Sequence, residues 1–234
     1  MKKLFSLLLT FSFLGMGVHA QTADEIITKN IQAMGGVDKL KSIQSVVMEG
    51  KINAQGMEIP ISMSMVKNTA MRTDFSVMGM NAWMIMRKDS GWTFMPFQGQ
   101  TKPEAVPADM LKETQDQLDL EGELVDYKEK GSTVEYLGMD DVEGTDCHKL
   151  KLITKAGNVH YYLIDPKTFY TVRRIAKQNA GGKEVEVQVD MGNYKEVEGG
   201  FIFPFTVTSM GGPVEMTKIV VNGTVDSAKF SPGM

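Results

Sequence analysis

The chain has 234 residues, 23% of them charged, and a formal net charge of −4 with neutral histidines. That length suits one domain with a sizeable core, or at most two small ones. The acidic balance argues against nucleic-acid binding and against electrostatic docking on anionic lipid. A single cysteine, Cys147, leaves no internal disulfide, so the core must hold the fold by itself.

The first twenty residues read as a cleavable secretory signal peptide. Lys2 and Lys3 form a short positive region, Leu4 to Phe13 is an almost unbroken apolar run, and Val18-His19-Ala20 supplies small or modest residues at a cleavage site. The apolar run is short for a bilayer span of about 20 residues and lacks a stop-transfer flank. The residue directly after Ala20 is Gln21, not a cysteine. The expected mature chain is residues 21–234, periplasmic, not lipidated at its own N-terminus, and folded as one domain. Cleavage removes two basic residues and leaves 23 against 29 acidic ones.

Thr22 to Gly36 has the pattern of a helix. Thr22 or Asp24 can cap it, Asp24 and Glu25 suit the positive end of its dipole, and Ile27, Ile31 and Met34 form an apolar stripe that Gly35-Gly36 ends. Val37 to Ile43 predicts a second short helical turn. From Ser45 the period changes to two. Val46, Met48, Ile52 and Ala54 alternate with Val47, Glu49, Lys51 and Asn53; Met57 to Met65, Met71 to Val77 and Met80 to Met86 continue the alternation, and Trp92 and Phe94 follow the Asp89-Ser90-Gly91 turn. Runs at roughly ten-residue intervals predict an antiparallel meander.

Pro103 and Pro107 then bracket a loop, and Ala108 to Leu120 predicts an amphipathic helix with Met110, Leu111, Leu118 and Leu120 as its apolar residues. Strands are expected again near Leu124–Tyr127, Thr133–Leu137, Cys147–Thr154, Val159–Ile164, Phe169–Ala176, Val185–Met191, Phe201–Val207 and Val214–Val221. Glycine pairs and Asp165-Pro166 punctuate them. The predicted architecture is mainly β (α+β): a long, curved antiparallel sheet with a helix at its start and a helical insertion after the fifth strand.

The mature chain lacks H-E-x-x-H, C-x-x-C, G-x-S-x-G, a P-loop and a dinucleotide-binding glycine pattern. Neither an enzyme nor a cofactor or metal is expected. His148 and His160 are expected as strand surface residues, and Asp146-Cys147-His148 as neighbours on opposite faces rather than a nucleophile–base pair. The unusual feature is methionine: of 19 in the chain, ten lie between Met48 and Met95, mostly on one parity of the early strands. An ordinary core in which Met replaces Leu or Ile accounts for this. So does a cavity for ligands of variable shape, since Met is flexible and polarizable. On the second reading the cavity is lined by Met48, Met57, Ile59, Ile61, Met63, Met65, Met71, Phe75, Met80, Met84 and Met86, with Trp92 and Phe94 from the next strand, under a lid bearing Met110, Leu111 and Leu118.

Several dispersed stretches resemble one family. They are Ala33-Met34-Gly35-Gly36 with Lys39-Leu40, Met71-Arg72, Ser90-Gly91-Trp92-Thr93-Phe94-Met95-Pro96, Val134-Glu135-Tyr136-Leu137-Gly138 with Val142-Glu143-Gly144, Ile164-Asp165-Pro166-Lys167-Thr168, and Tyr194-Lys195-Glu196-Val197 with Gly200 and Phe203-Pro204. In order, over most of the mature chain, they are similar to the outer-membrane lipoprotein-sorting proteins of the LolA/LolB-like lipoprotein-carrier superfamily. Thr73 stands where the carriers have an aromatic after their arginine, and the methionine-rich face is peculiar to this chain. The resemblance implies an unclosed β-barrel whose helices cover a hydrophobic cavity for lipoprotein acyl chains or other lipids. It also implies inner- and outer-membrane sorting components as partners of a monomeric carrier, and Arg72 as a latch for the lid. The competing reading is an envelope sensor or protein-interaction module on the same half-barrel.

Overall fold

The computed structural model describes residues 22–54, 56–108, 111, 115–180 and 183–233. The proposed signal peptide, Met110 and the Gly181-Gly182 turn lie outside the described residues. Helix α1 (Ala23–Ala33) starts where Thr22 accepts from the Glu25 amide and the Glu25 side chain accepts from the Thr22 amide. That reciprocal box selects Thr22 over Asp24 as the cap. Asn30, buried on α1, donates to the Phe169 carbonyl at 2.7 Å and so ties the helix to the sheet. Helix α2 (Val37–Lys41) is a single turn and a half.

Among the described residues thirteen strands follow: β1 (Ser45–Ala54), β2 (Met57–Val66), β3 (Ala70–Val77), β4 (Met80–Arg87), β5 (Gly91–Phe94), β6 (Glu104–Ala105), β7 (Thr133–Val142), β8 (Thr145–Ile153), β9 (Val159–Ile164), β10 (Thr171–Ala180), β11 (Lys183–Val197), β12 (Phe201–Ser209) and β13 (Gly212–Val221). They form one antiparallel sheet in the order β6-β5-β4-β3-β2-β1-β13-β12-β11-β10-β9-β8-β7. Two meanders meet where β1 pairs with β13, with Val46 opposite Val221 and Ile52 opposite Val214. The register shifts at Gly50, where an added Cβ would stand 2.4 Å from the Glu215 carbonyl oxygen, so this bulge admits only glycine. The sheet is curved and does not close into a barrel, as expected.

The topology decides the course of the insertion. Its ends, β6 and β7, are the two opposite edges of the sheet, so residues 106–132 must run from one edge to the other. They cross one face: Val106 and Leu118 are buried with Val46, Met65, Met71, Met86 and Ile219, while Leu124 is buried with Ile26, Ile27, Leu150 and Leu152. We call this crossing the strap and the face beneath it the inner face. A smaller cluster on the outer face joins Ala70, Trp83 and Ile85 to Phe230 of the C-terminal turn Ser227–Phe230.

Three expectations need correcting. Leu124–Tyr127 is turn rather than strand; its apolar pair Leu124-Val125 is buried and anchors the strap, and Asp126 has φ +48°. The helix expected over Ala108–Leu120 ends early: Ala108 and Leu111 are helical, residues 109, 110 and 112–114 lie outside the described residues, and Gln115–Leu118 is a 3₁₀ turn. The short strand β6 is an addition that pairs with β5 at Trp92 and Thr93. Among the described residues, no helix is long and apolar enough to cross a membrane.

Candidate ligand cavity

Alternation along each strand sorts side chains between the faces, and the register carries one parity across the sheet. Met48 faces Met63, Met65 faces Met71, Met71 faces Met86, and Thr73 faces Met84. Met48, Met63, Met65, Met71, Met84 and Met86 therefore share the inner face and one apolar cluster with Leu111 and Leu118 of the strap. Gly91 makes room for the strap: an added Cβ there would lie 2.8 Å from Leu111 Cδ2.

Burial on this face is graded. Val46, Met65, Met71 and Met86, at the strap end of their strands, are nearly inaccessible. Further along the same strands Ile52, Ile59, Ile61 and Phe75 are only half-buried, and Met57 and Met80 near the hairpin tips are exposed. The inner face thus runs from a packed floor to an open apolar trough.

Trp92 and Phe94 belong elsewhere. Trp92 faces Ile85 and Phe94 faces Trp83, both on the outer face, because the turn before Gly91 sets β5 in the parity opposite to the one expected. Arg72, between Met71 and Thr73, also points outward. Its Nη1 donates to the Lys229 carbonyl at 2.8 Å, its Nε donates to the Asp74 carboxylate at 2.8 Å and 3.0 Å, and its guanidinium lies 5.1 Å from the Trp83 ring centroid. The latch expected of Arg72 therefore holds the C-terminal turn and not the strap.

The strap is held by charges. Lys67 and Glu121 pair at 2.5 Å with both side chains largely buried, Lys130 reaches Asp119 at 2.6 Å and Glu121 at 3.1 Å, and Lys41 pairs with Asp126. Between them Glu123 enters the inner face. Its Oε2 accepts from the Tyr162 hydroxyl and from Arg174 Nη2 at 3.1 Å, and His160 Nδ1 lies 3.0 Å away. His160 Nδ1 is as near to Oε1, at 2.9 Å, but not in hydrogen-bonding geometry, which leaves Oε1 buried without a partner. Burial alone would raise the Glu123 carboxyl, yet the hydrogen bond from His160 and the charge of Arg174 outweigh it and hold it at about 2. Burial and the Glu123 charge push the Tyr162 phenol up.

His148 and His160 are both buried on the inner face and are not the surface residues expected. His148 stacks on Phe169 and its Nδ1 lies 3.1 Å from the Tyr136 hydroxyl. Asp116, Glu123 and His160 bring potential metal ligands within 4.8 Å of one another, but the Arg174 guanidinium, 3.1 Å from both Glu123 Oε2 and His160 Nδ1, already supplies a cation there. Cys147 is buried on the opposite face from His148, and burial pushes its thiol up, away from nucleophile chemistry.

Beside the Glu123 cluster is a cavity of ≈ 280 Å³. Ile31, Met34, Leu40, Leu120, Ile202 and Phe203 give it apolar walls, and its polar lining includes Glu123, Tyr162 and Arg174 together with Asp119 and Glu121 of the strap. None of these residues follows from the methionine pattern. The polar set becomes visible only through the register that opposes Tyr162 to Arg174, two strands joined by the Asp165-Pro166 turn.

No family model matches the sequence, and no curated protein matches it. Solved structures do match in fold. The chain is similar to a structure described as a putative outer membrane lipoprotein-sorting protein domain from Vibrio parahaemolyticus, at 11% identity and TM-score 0.54, over 89% of this chain and 96% of that one. It is similar to a LolA superfamily protein from Nitrosomonas europaea at 12% identity and TM-score 0.55, over 92% and 100% of the two chains. A DUF1329 family protein from Desulfovibrio piger matches at 12% identity and TM-score 0.51, over 92% and 99%. At such identities the likeness is one of fold.

Proposed function

We propose that this protein is a periplasmic carrier that binds lipoprotein acyl chains or other lipids and shields them in transit, within outer-membrane lipoprotein sorting. The observation that carries the reading is the graded inner face: methionine-rich, apolar, strapped at one end and half-open toward the hairpin tips. The fold it shares with a structure described as a lipoprotein-sorting domain supports the same reading. A binding role, rather than catalysis, fits an interior whose charged groups are spent on holding the strap.

The energetics suit a carrier. Burying about 12 methylenes at ~0.8 kcal/mol each supplies roughly 10 kcal/mol of gross driving force. Association and ordering, at ~4–15 kcal/mol, consume much of it. The modest remainder lets a load be released to an acceptor without an energy source in the chain. Export puts the chain where such loads travel, so envelope protein from a Gram-negative host is expected to begin at Gln21. An intact Met1 in N-terminal mass analysis would remove the periplasmic part of the proposal.

The test is uptake of a fluorescent fatty-acyl probe by the mature protein. Saturable uptake, weakened in Met84→Asp, is expected. A folded wild type with no affinity for any acyl probe reduces the methionine face to an ordinary core.

A further inference from the structure

Resting on that carrier reading, we infer that Glu123 occupies the place of a ligand's anionic headgroup. The amphiphile this cavity takes carries a carboxylate or phosphate head that displaces Glu123 from Arg174, Tyr162 and His160.

The donors and the acceptor differ in origin. His160 and Tyr162 lie on β9 and Arg174 on β10, locked in register with Tyr162 opposite Arg174 and His160 opposite Ala176. Three donors on adjacent paired strands form a receptor that exists whatever the strap does. The carboxylate comes instead from residue 123, in a stretch of the strap with no regular structure. The other acids near this cluster or lining its cavity, Asp116, Asp119 and Glu121, are also on the strap and leave with it, and Asp119 and Glu121 are already paired with Lys130 and Lys67.

The fit of Glu123 is incomplete. One of its two oxygens is buried with no hydrogen bond, a deficit that a headgroup free to orient need not incur. The receptor also opens on the right kind of space. Tyr162 and Arg174 belong to the polar lining of the cavity whose apolar walls include Ile31, Met34, Leu40 and Phe203. A chain lying along those side chains puts its head at Arg174.

Charge balance then selects the head. Entry of a ligand that lifts Glu123 away leaves Arg174 a buried cation, and breaking a buried pair by removing one partner is strongly unfavourable. An anionic head restores the pair; a neutral one does not. Glu123 thereby acts as a competitor built into the strap, and ligand charge is coupled to strap release.

Calorimetric titration of the full mature chain with dodecanoate, dodecyl phosphate and dodecanol tests this, since the three share one chain length. At least one anion is expected to bind about tenfold tighter than the alcohol. The stronger of the two identifies the head as carboxylate or phosphate. Glu123→Gln is expected to tighten anion binding about tenfold, while Arg174→Gln abolishes the preference. Glu123→Gln decides the matter even if Arg174→Gln does not fold, because the amide keeps an acceptor without the charge. Equal binding of all three amphiphiles, in wild type and in Glu123→Gln alike, overturns the headgroup inference and leaves acyl carriage standing. Binding of none overturns both.

Discussion

The Glu123 carboxyl, held at about 2 against an ordinary 4.5, makes stability depend on pH in one direction. Above the ordinary value, folded and unfolded chains are both ionised here and the full contribution is present. As pH falls from 4.5 toward 2 the unfolded chain takes up the proton first, and the contribution, roughly 3 kcal/mol, is lost. Urea midpoints of Glu123→Gln are expected to be lower than wild type at neutral pH and to converge on it as pH falls to about 2 and below. Parallel acid profiles in the two proteins would contradict this assignment. Gly91→Ala is expected to destabilise by about 1–3 kcal/mol, because its Cβ meets Leu111 Cδ2 at 2.8 Å and the Ile85 carbonyl at 3.0 Å. Arg72→Ala tests the other correction: it should loosen residues 227–230 and leave acyl-probe uptake intact, whereas loss of uptake would restore the lid-latch reading. At this scale the early methionines were legible because strict alternation runs through β1 to β4. Trp92 and Phe94 were not, since the turn before Gly91 shifts the parity and no pattern in the residues records it.

The strap is the element on which the account turns, and only part of it was legible. Pro103, Pro107 and the apolar Leu111 and Leu118 marked an insertion that must bury a side against the early strands. Its real constraint is topological, because β6 and β7 are the two edges of the sheet and the chain between them has to cross. No local signal in residues 121–132 announces this, and Leu124-Val125 there reads as strand. Unlike the exposed Lys128–Asp24 pair, which solvent screens, the Lys67–Glu121 pair is largely buried. Lys67→Ala, which leaves Glu121 with Lys130 as its remaining partner, is expected to cost roughly 1–3 kcal/mol and to raise hydrogen exchange across 115–131 ahead of the sheet. Exchange rising uniformly would mean that the strap does not open as a unit. On acyl binding the account expects a change in exchange confined to residues 103–131, since lids belong to the less stable parts of a fold.

For the whole molecule, a sheet of thirteen strands with two free edges leaves one face to be covered by something other than itself. Helix α1 and the strap cover its floor; toward the hairpin tips the apolar trough stays half-open. The strand rhythm and the leading helix gave the fold class from the residues, and the family resemblance supplied its unclosed form. The join of β1 to β13 depends on pairing between residues more than 160 positions apart, as at Val46 and Val221, and no local pattern specifies it. The central claim is that this trough carries acyl chains. Native mass spectrometry of mature protein, gently purified from envelope fractions, tests it most directly. The account predicts a population heavier than the polypeptide by the mass of a lipid or an acylated peptide, which Met84→Asp loses while remaining folded. A wild type that is always bare, and stays bare after incubation with an acyl amphiphile, would contradict it.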